Sequence, residues 1–249
     1  MSLKLLKKII GILGYKLIEK NLVKNDRLIT KGTYFKLEKI LEKLFLLNKI
    51  DTLIQIGAND GVRFDILNSF IKNYSPKVIF VEPIKSNYEQ LRLNYKYQNN
   101  VYFENSAVSV KDKISYLYKV KESALTKYDD HIAGVTSFSK KHLLKHGVRL
   151  KDIIKEIVNP ITISELLDKH TIDKFDLLYI DTEGYDSEIV SDFLKSSTIR
   201  PFIVFEYIHV DTNSLEKSLI NLKEKNFLYF KIEENIIAIP SEKQKNLIF

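Results

Sequence analysis

The 249-residue chain contains no cysteine, which excludes disulfide frameworks and thiolate metal sites and fits a reducing compartment. It has no apolar run of the ~20 residues needed to span a bilayer and no recognisable signal peptide, so a cytoplasmic protein is expected. Internal repeats and low-complexity tracts are also missing, and the length suits one large domain with a modest extension. Acidic residues are in the minority: 39 Lys and Arg face 32 Asp and Glu, a formal charge of +7 supplied almost entirely by lysine. That balance suits phosphorylated substrates, nucleic acid or an anionic membrane, and equally a lysine-rich surface that serves no partner. Core material is plentiful, at 45% hydrophobic and 11% aromatic residues.

Residues 1–24 combine an apolar stripe (Leu5, Leu6, Ile9, Ile10, Leu13, Leu17) with Lys4, Lys7, Lys8 and Lys16 around it. A helix of this kind either makes peripheral contact with an anionic membrane or docks on protein. A second amphipathic helix is expected over 33–48, so that 1–48 form an N-terminal helical extension. From residue 51 short apolar strands (52–58, 77–82, 101–106, 175–181, 202–207) alternate with helices over 62–73, 84–97 and 213–225. A closing hairpin pairs 227–233 with 236–240, turned at Glu234-Asn235. The pattern predicts an α/β, Rossmann-like domain over 49–240: a mostly parallel seven-stranded sheet with helices on both faces and a C-terminal β-hairpin. Residues 119–160 are an irregular insertion placed to cover an acceptor pocket, and 241–249 are a loosely ordered tail.

In open α/β sheets ligands sit at the carboxyl ends of the strands. The first strand here ends in IQIGANDG and the second in FVEP. Glycine turns let backbone approach a ligand, and a carboxylate at Glu82 can accept both hydroxyls of a ribose. A dinucleotide oxidoreductase of the NAD type shares that arrangement. However, G-A-N-D-G lacks two glycines of the dinucleotide fingerprint and sets Asp60 where a diphosphate would lie.

These residues, with the segments IFVEP, ENSAVS, LLYIDTEGYDSEIV and IVFEY, make residues 50–240 resemble the FkbM family of methyltransferases. The resemblance implies a class I fold, S-adenosyl-L-methionine as cofactor and methylation of a hydroxyl, with a sugar, nucleotide sugar or surface glycan as acceptor and a place in polysaccharide biosynthesis. It places Gly57, Ala58, Asn59 and Gly61 around the methionine and ribose of the cofactor. Glu82 takes the ribose hydroxyls, Pro83, Ser106 and Ala107 the adenine, and Asp181, Glu183 and Gly184 lie near the departing methyl. The chain departs from the family at strand five, reading Glu206-Tyr-Ile-His209 where Glu-x-His is common.

For a hydroxyl acceptor the protein must align the reactants and assist proton loss. Asp181, Glu183 and His209 are the candidates for that role. Helix capping is the alternative for the two carboxylates, and a purely structural role is the alternative for the histidine. Asp181, Glu183, Glu206 and His209 could gather a divalent cation, but nothing in their spacing demands one, and no metal is expected. His131, His142 and His146 lie in the insertion, the last two on one helix face. Lys140, Lys141, Lys145 and Arg149 make it basic, as an acceptor anion site or a solvated face. An RNA-binding or RNA-methylating domain is the remaining alternative. Nucleic acid is nevertheless not expected, because Asp181-Thr-Glu-Gly stands where base methylators carry Asn/Asp-Pro-Pro-aromatic, and no basic module with stacking aromatics is apparent.

Overall fold

The computed structural model describes residues 36–47, 49–110 and 116–244; the expected helix over 1–24 lies outside them. Helix α1 (Leu37–Leu46) buries Leu37, Ile40, Leu41, Leu44 and Phe45, the spacing of a single apolar face. Phe45 stacks on Phe70 at 5.2 Å between ring centroids, which docks the helix against the domain.

The main sheet is built from β1 (Thr52–Ile56), β2 (Lys77–Val81), β3 (Val101–Glu104), β9 (Leu177–Ile180), β10 (Phe202–Glu206), β11 (Phe227–Ile232) and β12 (Asn235–Pro240). Its order is β11-β12-β10-β9-β1-β2-β3. All pairings are parallel except those of β12, which runs antiparallel to both β10 and β11. Alternate residues feed two cores. Leu53, Phe80, Leu177 and Val204 join α1 on one face. Ile54, Ile79, Leu178 and Ile203 face α6 (Ile163–Lys169), α7 (Asp186–Ser196) and α8 (Thr212–Glu224) on the other. Both faces are covered, so the strands read as continuous apolar runs.

Two elements differ from expectation. The helix over 62–73 is a turn followed by the short α2 (Asn68–Tyr74). Asp60 accepts from the backbone N–H groups of Val62 and Arg63, and Asp65 from that of Leu67, while Phe64 sits at φ 59. These local bonds compete with the helix and delay its start. The C-terminal turn falls at Glu233-Glu234, one residue early, with Glu233 at φ 50.

Helix α3 (Lys85–Asn94) joins β2 to β3, and β4 (Ala107–Val108) pairs with β8 (Pro160–Ile161) beyond it. The irregular region is ordered as a small antiparallel sheet of β5 (Tyr116–Val120), β6 (Thr136–Ser137) and β7 (Ile153–Ile157), with helices α4 (Asp130–Gly134) and α5 (Lys140–Lys145). It carries its own core of Val120, Ala124, Val135, Leu143 and Val148. Asp152 pins this unit, accepting from the Tyr128 hydroxyl at 2.8 Å and from Arg149 Nε at 2.9 Å.

Candidate active site

Strand register brings the site together. Ile56 stands level with Val81 of β2 and Ile180 of β9, so the residues just past these three tips are neighbours. The N–H groups of Gly57 and Ala58 both donate to Val81 O, and that of Asp181 donates to Ile56 O. Gly57 has φ 82, and a Cβ there would lie 1.8 Å from the carbonyl oxygen of Asp181. Only glycine fits, because the turn lies directly on the acidic loop.

Above these tips is a cavity of about 420 Å³, in the range of small-molecule sites. Gly57, Ala58, Asn59, Glu82, Pro83, Ser106 and Ala107 all line it, as do Asp181 and Glu183. Gly61 does not. Its φ is 70, and a Cβ there would meet the Leu91 side chain at 2.5 Å and the Tyr95 ring at 2.6 Å. Gly61 therefore serves close packing of the turn on α3, a correction to its expected place beside the cofactor. Asp60 is likewise absent from the wall. Its carboxylate is buried and turned onto Arg63, so it cannot be what discriminates against a diphosphate. Desolvation raises the Asp60 pKa, but the hydrogen bonds from Arg63 and Val62 outweigh it and the net shift is downward.

Other carboxylates do face the cavity. Glu82 is buried at the tip of β2, its two oxygens accepting from the N–H groups of Asn59 and Ile84, each at 2.8 Å. Burial pushes its pKa up to about 7 against those bonds. Asp181 opens to solvent through the cavity but is otherwise surrounded by protein. That enclosure, then Asp186 and Glu183, hold its pKa well above the usual carboxylate range. Glu206, also on the wall, is pushed to about 9 by burial first and by Asp181, Glu183 and Asp186 next. Such a wall disfavours a diphosphate and favours a ligand carrying positive charge.

Glu183 is presented from a left-handed backbone (φ 54), which costs a non-glycine residue about 1–2 kcal/mol. Ser137 Oγ donates to its carbonyl oxygen at 3.0 Å, and His142 Nε2 lies 3.1 Å from its carboxylate. Desolvation raises the Glu183 pKa, but His142 and His209 outweigh it and the net shift is downward. His209 stands behind the wall, with Nε2 3.6 Å from Glu183 Oε2 and 3.9 Å from Glu206 Oε2. No described residue hydrogen-bonds the Asp181 carboxylate.

Asp130, Gly134, Thr136 and Phe138 of the insertion line the cavity, Phe138 held edge-on against Tyr185 at 4.8 Å. Sequence reasoning did not single these out, nor Phe64 and Asp65, and it read Glu234, also on the wall, only as part of the hairpin turn. They mark no motif and come together only through long-range packing. Of the basic run, Arg149 is engaged with Asp152, and Lys140 lies over the Tyr118 ring at 5.4 Å. The side chain of His131 lies outside those described.

A seven-stranded sheet of this order, with an acidic-walled cavity over the tips of its central strands, defines a class I methyltransferase architecture. The chain belongs to the FkbM methyltransferase family: the model of the methyltransferase FkbM domain matches residues 55–229. No curated protein matches it. Solved structures similar to it include the FkbM methyltransferase of Methylobacillus flagellatus KT, at 12% identity and TM-score 0.44, covering 76% of this chain and 43% of that one. The chain thus spans less than half of that protein's length. The O-methyltransferase from Bacillus cereus is similar at 9% identity and TM-score 0.41, covering 81% of this chain and 79% of that one. The RNA methyltransferase from Salinibacter ruber, in complex with S-adenosyl-L-homocysteine, is similar at 10% identity and TM-score 0.41, covering 84% and 95%.

S-adenosylmethionine is the cofactor of this family, and the residues present fit it. Glu82 accepts from the N–H groups of Asn59 and Ile84 and from the Asn87 side chain, which leaves acceptor capacity for a ribose hydroxyl, and the acidic wall suits a sulfonium.

Proposed function

We propose that the chain is an S-adenosylmethionine-dependent O-methyltransferase acting on a hydroxyl of a sugar, nucleotide sugar or surface glycan. The observation that carries this reading is the Asp181 carboxylate, which faces the cavity with no hydrogen-bonding partner among the described residues and a raised pKa. The cofactor supplies a methyl group already activated for in-line displacement. Glu82 holds the ribose and Gly57 lets the backbone of the turn close on the ligand. Asp181 accepts the acceptor's hydroxyl proton, for which a pKa raised above the ordinary carboxylate value is suited. Glu183, held by Ser137 and His142, orients the acceptor, and Phe138 on the insertion shields it from water. A wall rich in carboxylates matches a polyhydroxylated acceptor, whose hydroxyls are donors.

Methyl transfer to a panel of sugars, nucleotide sugars and glycans tests the reading. Asp181→Asn should lower turnover by about 10²-fold or more while affinity for S-adenosylhomocysteine is retained. Full turnover in that variant would overturn the assignment of the base. Transfer to RNA but to no hydroxylated small molecule would overturn the acceptor class. Calorimetry with NAD should show no binding.

A further inference from the structure

His142, His146, Glu183 and His209 come from three separate places: α5 of the insertion with the residue that caps its end, the loop after β9 and the loop after β10. One donor atom from each lies within 4.8 Å of every other. The three imidazole rings pack around one point, with centroids 4.6, 4.7 and 4.9 Å apart in pairs. Four ligands on one tetrahedral ion at 2.0–2.1 Å stand about 3.4 Å from each other, so side-chain adjustment alone closes the set. The geometry points to a site for a divalent transition metal of zinc type, held by His142, His146, Glu183 and His209. Three imidazoles and one carboxylate are a borderline-soft donor set; magnesium and calcium take oxygen ligands.

The position of the site defines its role. Among the described residues only Glu183 of the four also lines the cavity, so the ion sits behind the wall and does not touch the acceptor. With four protein ligands it is a closed site, which belongs to structural metals. It clamps the insertion to the carboxyl edge of the sheet and orients the Glu183 side chain. The sequence offers two separate sets, His142 with His146 and Glu183 with His209 beside Asp181 and Glu206, and nothing in it joins them, because Glu183 and His209 are 41 and 67 positions beyond His142.

The test is titration of the full chain, stripped with chelator, with Zn²⁺ by calorimetry and with Co²⁺ by visible absorption. One equivalent should bind, Co²⁺ should show the intense bands of a four-coordinate site, and Zn²⁺ should raise the melting temperature. His146→Ala and His209→Gln should each weaken binding by more than the roughly 10–100-fold lost with an outer-shell partner. Both variants should still bind S-adenosylhomocysteine, which reports that they are folded. Absence of saturable binding to the unsubstituted chain, or unchanged affinity in both variants, overturns the site. These readouts do not depend on methyl transfer, so a wrong acceptor class leaves them intact.

Discussion

The carboxyl edge of the main sheet and the inserted unit over 116–157 both wall the same cavity, yet they are held by different forces. The edge is fixed by backbone: parallel ladders level the tips of β1, β2 and β9, and glycine lets the turn lie on the acidic loop. The insertion has a short antiparallel ladder of its own, β5 with β6 and β7, but it is pinned internally and to the edge by side chains, among them Lys119 with Glu156, Tyr128 with Asp152, and His142 with Glu183. Backbone ladders leave a periodic trace in the sequence. Side-chain pins leave none.

The largest effect should come from Gly57→Ala. The added carbon would meet the Asp181 carbonyl at 1.8 Å from a backbone with φ 82, and neither the turn nor β9 can yield. A loss of about 3–5 kcal/mol in urea unfolding, with cofactor binding abolished, is expected. Gly61→Ala sharpens the contrast within the same turn. It overpacks Leu91 and Tyr95 and should cost about 1–3 kcal/mol. Its affinity for S-adenosylhomocysteine should be unchanged; a lost affinity would return Gly61 to the cofactor.

These two glycines also show how far the sequence could be read. The central strands were legible because four consecutive apolar residues at β2, β9 and β10, and an apolar run broken only by Gln55 at β1, admit few other readings. Their tips then located Gly57, Glu82 and Asp181. Gly61 shares the motif, but nothing in the sequence distinguishes a glycine that meets a ligand from one that meets a helix. Asp60 was misplaced because its partner Arg63 forms a local turn where a helix was expected. The four-residue cluster was hidden because its halves, His142 with His146 and Glu183 with His209, are joined only by the fold.

Glu82 gives a third, smaller effect. Its folded pKa of about 7 means that the free protein is partly protonated there at neutral pH. Ribose hydroxyls donate best to the ionised form, so binding favours loss of that proton. Affinity for S-adenosylhomocysteine should be about tenfold weaker at pH 6 than at pH 8, the scale of one pKa unit. Glu82→Gln should bind weakly at both pH values, with the difference gone.

Acid should separate the two regions by sign. At the edge, Glu82 and Asp186 have pKa values raised from 4.5 to about 7 and from 3.8 to about 6, both chiefly by burial. Between the unfolded and folded values the native state holds more protons than the unfolded one, so their contribution to stability is fully present below about pH 4 and is lost as pH rises through 6 to 7. In the insertion, the Tyr128 hydroxyl first, with Lys121 and Arg149, holds Asp152 at about 2, below its ordinary 3.8. Here the unfolded state holds more protons, so the contribution is present above about pH 4 and is lost as pH falls toward 2. Hydrogen exchange followed by segment should therefore show β1, β2 and β9 gaining protection from pH 7 to 4, after correction for the intrinsic rate. Residues 116–157 should hold theirs over that range and lose it only below pH 4. Asp152→Asn should bring that loosening up to neutral pH and leave the edge untouched. If both regions lose protection together in this variant, the insertion and the sheet edge are one cooperative unit, and the division between ladder and pin fails.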